Sequence, residues 1–134
     1  MKIDGHIHTP FCPHGSSDLF EKYIEKAIMN HFTHISFTEH APLPSTFNDP
    51  TPDKDSGMDA NQLQHYIKQL NDLKLHYKNN IHINIGLEID YISGYEKETT
   101  AFLNEFGPQL DDAILSVHFL KHENEYCCID FSDD

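Results

Sequence analysis

Four strand-like runs alternate with amphipathic helical stripes along this 134-residue chain, and that order leaves few folds open. Lys2–His8 reads as a strand with His6 and His8 on one face. Asp18 and Glu21 stand at capping-box spacing and open a helix whose apolar side is Phe20, Tyr23, Ile24, Ala27 and Ile28. His34–His40 reads as a second strand. Asp59 with Gln62 caps a second helix, whose stripe runs Leu63, Tyr66, Ile67, Leu70, Leu73 and Tyr77. Ile81–Ile89 is a third strand, apolar enough to be covered on both faces. A helix around Glu96–Phe106 ends at the stop signal Gly107–Pro108, Asp112–Phe119 is a fourth strand, and Tyr126–Phe131 begins a further element. Between the second strand and the second helix, Ala41–Met58 carries Pro42, Pro44, Pro50 and Pro52, which excludes regular structure; attached to a strand end, it is a candidate lid.

The βαβαβαβ order predicts an α/β fold with a parallel sheet and right-handed crossovers. In such folds functional groups gather at the C-terminal ends of the strands. His8, His40, Glu88 and His118 fall there, one on each predicted strand. His6 and His8, two residues apart on one face, can reach a common ion, and neutral imidazole suits zinc, iron or manganese. His40 shares a face with Ser36 and Thr38 while Glu39 points the other way, so His40 is favoured over Glu39 as a ligand. Glu88, flanked by Leu87 and Ile89, has the chemistry to bridge two cations, with Asp90 on the same face in reserve. His14 lies in the loop leaving the first strand, held by Pro10, Pro13 and Gly15, where a solvated loop histidine is the alternative. Cys12 beside it reads as a small buried residue before a ligand. His31, His65 and His76 sit on helices or their ends, His34 and His82 begin strands, and His122 lies past the fourth strand, all away from the predicted centre.

Composition narrows the partners. Nine lysines and no arginine stand against 22 acidic residues, a net charge of −13, which argues against nucleic acid. A small phosphorylated substrate is compatible, because bound metal ions supply local positive charge. No run of about 18 apolar residues suggests a membrane span, no signal peptide is visible, and three cysteines fit no disulfide framework, so a cytoplasmic protein is expected. The sequence leaves the oligomeric state open.

Asp4-Gly-His-Ile-His8-Thr, Phe37-Thr-Glu-His40, Gly86-Leu-Glu88 and Ser116-Val-His118-Phe resemble the first motifs of the PHP (polymerase and histidinol phosphatase) superfamily. The histidinol-phosphatase branch is closer still, through Ala41-Pro-Leu-Pro, the Asp49–Met58 loop, Gly86–Tyr91, Leu110–His118 and Ile129-Asp-Phe131. The resemblance implies a distorted (β/α)7 TIM-like barrel, of which this chain would be the first four or so β/α units. Residues 1–134 would then form the N-terminal part of a larger PHP domain; an open sheet with an unusual tail is the alternative. The resemblance further implies up to three divalent ions. His6 and His8 would hold one, Glu88 would bridge it to a second held by His118, and His14 with His40 would hold a third. The implied reaction is hydrolysis of L-histidinol phosphate to L-histidinol and phosphate in L-histidine biosynthesis, with a metal-activated bridging water as nucleophile and no serine or cysteine needed. Two rivals stand: another phosphoesterase of the superfamily, or a metal-binding fragment without activity, the latter because family members carry further ligands later in their sequences.

Overall fold

The computed structural model describes residues 1–13 and 15–131. Strands β1 (Ile3–Ile7), β2 (His34–His40), β3 (His82–Asp90) and β4 (Asp112–Ser116) form one parallel sheet in sequence order. Helices α1 (Phe20–Met29), α2 (Leu63–His76) and α3 (Glu96–Phe106) make the crossovers, and β5 (Phe119–His122) and β6 (Glu125–Cys128) form an antiparallel hairpin. Sequential order without a reversal is the arrangement of a β/α barrel, here a four-strand arc of one, and a doubly wound sheet would reverse its order at a switch point.

Alternation along β3 explains how one strand serves both core and site. Ile81, Ile83, Ile85, Leu87 and Ile89 join Phe20, Ile24, Ile35, Phe37 and the α2 stripe of Leu63, Tyr66, Ile67, Leu70 and Leu73 in the main core. Asn84, Gly86, Glu88 and Asp90 occupy the opposite face. Both faces are covered, as the sequence predicts, but one of them is polar. At Gly86 the neighbouring strands close in: a Cβ there would meet Thr38 Cγ2 at 2.9 Å, Phe37 O at 3.0 Å and Asp112 O at 3.1 Å. The buried Tyr66 hydroxyl ties α2 to the sheet, 2.8 Å from Gly86 O and 3.2 Å from Phe37 O, while accepting the Glu39 N–H at 3.4 Å.

β1 carries one residue more than β2 between the pairs Asp4↔Ile35 and Ile7↔Phe37. This bulge resets the alternation at Gly5–His6, with Asp4 Oδ1 accepting the His6 N–H at 3.2 Å.

Several sequence expectations need correction. No capping box forms at α1: Leu19 is the N-cap without a side-chain hydrogen bond, and Asp18 instead takes the Lys22 ammonium at 2.6 Å across one helical turn. Asp59 caps a short 3-10 turn at Ala60–Gln62 through Asn61 N–H, and α2 starts only after it. Gly107 stays right-handed and leads into a second 3-10 turn, Gly107–Gln109. The fourth strand stops at Ser116, and the last element starts at Glu125 as half of a hairpin.

The Ala41–Met58 loop, the candidate lid, is anchored along its length. Its ends bond to β2 and β3 (Met58 N–H to His40 O, 3.1 Å; Ala41 N–H to Glu88 O, 2.8 Å). Phe47 packs edge-on to Phe119, Tyr95 and Tyr126 in a second small core. The buried Asp49 carboxylate accepts Thr51 N–H, Thr51 Oγ1–H and Ser56 N–H at 2.8–3.0 Å. Among the described residues no helix is long and apolar enough to cross a membrane.

Two measurements check these local accounts. α1 ends with His31 at φ 61°, where Phe32 N–H bonds Ala27 O and His31 N–H bonds Ile28 O. His31→Gly removes the left-handed strain and raises stability by roughly 0.5–1 kcal/mol in urea denaturation. For Asp49, burial alone would raise the carboxyl, but the hydrogen bonds from Thr51 and Ser56 outweigh it and hold the group below its ordinary value. The charged form therefore stabilises the fold above pH 3.8 and loses that contribution as pH falls through the lower folded value. Asp49→Asn costs about 1–3 kcal/mol at pH 7, and the gap to the parent chain narrows below pH 3.8.

Candidate metal centre

At the C-terminal mouth of the arc, one nearly buried carboxylate faces four imidazoles. Glu88 Oε2 lies 3.1 Å from His6 Nε2, 3.4 Å from His8 Nε2 and 3.6 Å from His40 Nδ1, and Oε1 lies 3.6 Å from His118 Nε2. His6 Nε2 and His8 Nε2 are 3.2 Å apart. Register explains the convergence. β2 and β3 pair His40 with Glu88, the bulge in β1 turns His6 and His8 to the same mouth, and Asp90 pairs with Ser116, two residues before His118. His118 therefore sits just beyond its strand, in the link to β5.

Two carboxylates orient these rings from behind. Glu39 Oε1 bonds His8 Nδ1 at 3.1 Å, and its Oε2 accepts Thr9 N–H (2.9 Å) and the Thr9 hydroxyl (2.6 Å). Asp90 Oδ1 bonds His118 Nδ1 at 2.7 Å. With Nδ1 of each ring held by a carboxylate, Nε2 is the nitrogen turned toward Glu88. Burial alone would raise the Glu39 carboxyl, but the bonds from His8 and Thr9 hold it below its usual value, and its bond to His8 raises that imidazole. For His40, burial outweighs the attraction of Glu88 and lowers the imidazole, favouring the neutral, ligand-competent ring.

The donors present fit divalent ions. His6 Nε2, His8 Nε2 and Glu88 Oε2 form a triangle with edges of 3.1–3.4 Å. Donors about 2.0–2.1 Å from one tetrahedral ion stand about 3.3–3.4 Å apart. His40, Asp90 and His118 form another group whose ligand atoms lie within 4.8 Å of one another. His40 Nδ1 is sealed from solvent with no hydrogen-bond partner among the described residues, a costly state that coordination would relieve.

Of the six residues singled out from sequence, the structure brings together His6, His8, His40, Glu88 and His118; His14 lies outside the described residues. His40 clusters with Asp90 and His118. Sequence reasoning undervalued Glu39, whose side chain turns away from the ligand face but reaches the back of His8. A carboxylate in the strand row otherwise occupied by Ile35 and Phe37, in a strand with no exposed residue, is the signal that could have found it.

The chain matches the PHP domain family over residues 4–133. It is 53% identical to a histidinol-phosphatase of Bacillus subtilis (strain 168) across 99% of its own length and 50% of that protein's. The crystal structure of HisK from Listeria monocytogenes superposes with a TM-score of 0.90 at 44% identity, covering 98% of this chain and 50% of that one. The histidinol phosphate phosphatase of Lactococcus lactis, solved in complex with zinc, L-histidinol and phosphate, superposes with a TM-score of 0.72 at 28% identity, covering 89% and 41%. The chain thus spans about half the length of the curated relatives it matches.

Glu39→Gln puts an amide N–H against donors on one side of the pocket. It should lower zinc affinity by about 10–100-fold in chelator competition, with a partial loss of thermal stability in the same preparation.

Proposed function

The chain belongs to the PHP domain family, and from that premise we propose that it serves the histidinol-phosphatase reaction, hydrolysis of L-histidinol phosphate to L-histidinol and phosphate in L-histidine biosynthesis. The observation that carries the reading is Glu88 ringed by four imidazoles, in a chain similar to a phosphatase solved with zinc, L-histidinol and phosphate. His6, His8 and Glu88 would hold one divalent ion, and Glu88 with His118, His40 and Asp90 a second. His14 is the candidate for a third. Zinc is the first choice by similarity to the Lactococcus protein, with iron and manganese compatible with the donors. Ions bound there supply positive charge for the phosphate oxygens and acidify a water for attack at phosphorus.

The chain's own residues do the rest of the arranging. Glu39 and Asp90 fix the His8 and His118 rings, and the loop from Ala41 to Met58 forms a standing wall. A cleft of about 300 Å³, lined by His40, Ser56, His118, Cys128, Asp130 and Phe131, is sized for a small phosphate ester. With no arginine in the chain, bidentate guanidinium recognition of phosphate is unavailable from it, which leaves that work to the ions, to lysines or to residues outside this chain. The net charge of −13 disfavours nucleic acid as the substrate.

The half-length match favours a second reading, a metal-binding unit that needs further residues for turnover. Phosphate release by the zinc-loaded chain, with L-histidinol phosphate compared against phosphotyrosine, separates the possibilities. Under the first reading, release is specific to L-histidinol phosphate, stops on chelation, and falls at least about 100-fold in Glu88→Gln. Bound zinc without release of phosphate supports the second, and preference for phosphotyrosine would assign a different phosphoesterase.

A further inference from the structure

α3 sits less deeply on the sheet than the other two helices. α1 buries Phe20, Ile24 and Ala27, and α2 buries Leu63, Tyr66, Ile67, Leu70 and Leu73, whereas α3 buries none of its residues. Its aromatic pair, Phe102 and Phe106, has ring centroids 4.9 Å apart and packs only partly against the main core. Between this pair, Ile89, Pro42 and Pro44 a groove of about 380 Å³ is left. Ile89 belongs to the core row of β3 and Glu88 to the opposite row, so the groove lies across the sheet from the four imidazoles. That volume is in the range of small-molecule pockets, which are mostly apolar with a few placed polar groups. The charged residues lining the groove are Asp90, Glu98 and Glu105, and among the described residues no lysine or histidine lines it. Asp90 is engaged by His118, which leaves the two glutamates. Glu98, Phe102 and Glu105 follow at i, i+4 and i+7, so carboxylates and ring share one face of α3. No lysine pairs with either glutamate among the described residues, where the lysine ion pairs go to Asp18, Asp72 and Asp111. We propose that this groove binds a small organic cation with an aromatic body, a protonated arylalkylamine, its ring against Phe102 and Phe106 and its ammonium at Glu98 and Glu105. Apolar walls favour the ring by releasing water, and the paired carboxylates with the ring faces favour the positive charge. An anion of the same shape is repelled, and a neutral one loses the charge contribution.

The test follows backbone amide shifts of the isotope-labelled chain as phenylethylammonium, phenylethanol and phenylacetate are titrated in, with zinc added and again after chelation. The expected result is saturable shifts centred on Ser45, Ala101, Phe102 and Phe106, with the ammonium bound about 5–30-fold tighter than the alcohol and no saturation by the carboxylate. Glu98 and Glu105 are both exposed, so the Glu98→Gln/Glu105→Gln double variant keeps the fold, which circular dichroism checks. In it the ammonium should bind no tighter than the alcohol, whose own affinity stays unchanged. Equal affinity for ammonium and alcohol in the parent chain, an unchanged preference in the double variant, or no saturation at the groove overturns the proposal. So does a concentration-dependent dimer whose shifts map to the same residues, since a second copy would then occupy the groove. Binding should be the same with and without zinc. Failure of the chain to hold zinc therefore leaves this site standing, and loss of the site leaves the metal centre standing.

Discussion

A carboxylate that is almost wholly removed from water must be compensated, and the mouth of this sheet is organised around that requirement at Glu88. Among the described residues, four imidazoles surround it, and no lysine pairs with it. Imidazoles crowded around one buried anion satisfy it incompletely, since a neutral ring has only one N–H to give and keeps a lone pair on its other nitrogen. Cations placed among those lone pairs would resolve the conflict for carboxylate and rings together. The demand for positive charge is therefore local, and the strongly acidic composition sharpens it.

The compensation extends outward in layers. Glu39 and Asp90 hold rings whose far sides face Glu88, and backbone and hydroxyl donors hold those carboxylates in turn. Glu39 lies in the row of β2 side chains that builds the core, so site and core share a wall. Loosening of the packing between α2 and β2 would be felt at His8 without any change in the ligands themselves.

Much of this was legible in the sequence because the two periodicities are clean. β2 matches its expected bounds, α3 its expected span, and the isoleucine row of β3 announces which face is buried. The convergence of His8, His40, Glu88 and His118 was legible for the same reason, since they fall at or just past strand ends, where parallel sheets collect polar groups. What the sequence hid depends on contacts between distant segments. The bulge at Gly5–His6 appears only when β1 is laid against β2. Asp18 had two local partners available and took Lys22, since an exposed ion pair across one turn competes directly with a cap. Pinning of the proline-rich loop depends on Phe47 meeting aromatic residues some 50 to 80 positions away.

Tyr66 has a consequence beyond filling space. Its ring belongs to the core of α2, but its hydroxyl spans the backbones of β2 and β3 and takes the amide of Glu39. Phenylalanine would fill nearly the same volume yet remove the polar bridge where water has no access, at a cost of about 1–3 kcal/mol. The helix thus acts as a gauge block between two strands, setting how far apart His40 and Glu88 can stand. Repacking this core for stability alone would alter the bore of the candidate metal centre, so the interior here fixes a distance as well as filling a volume.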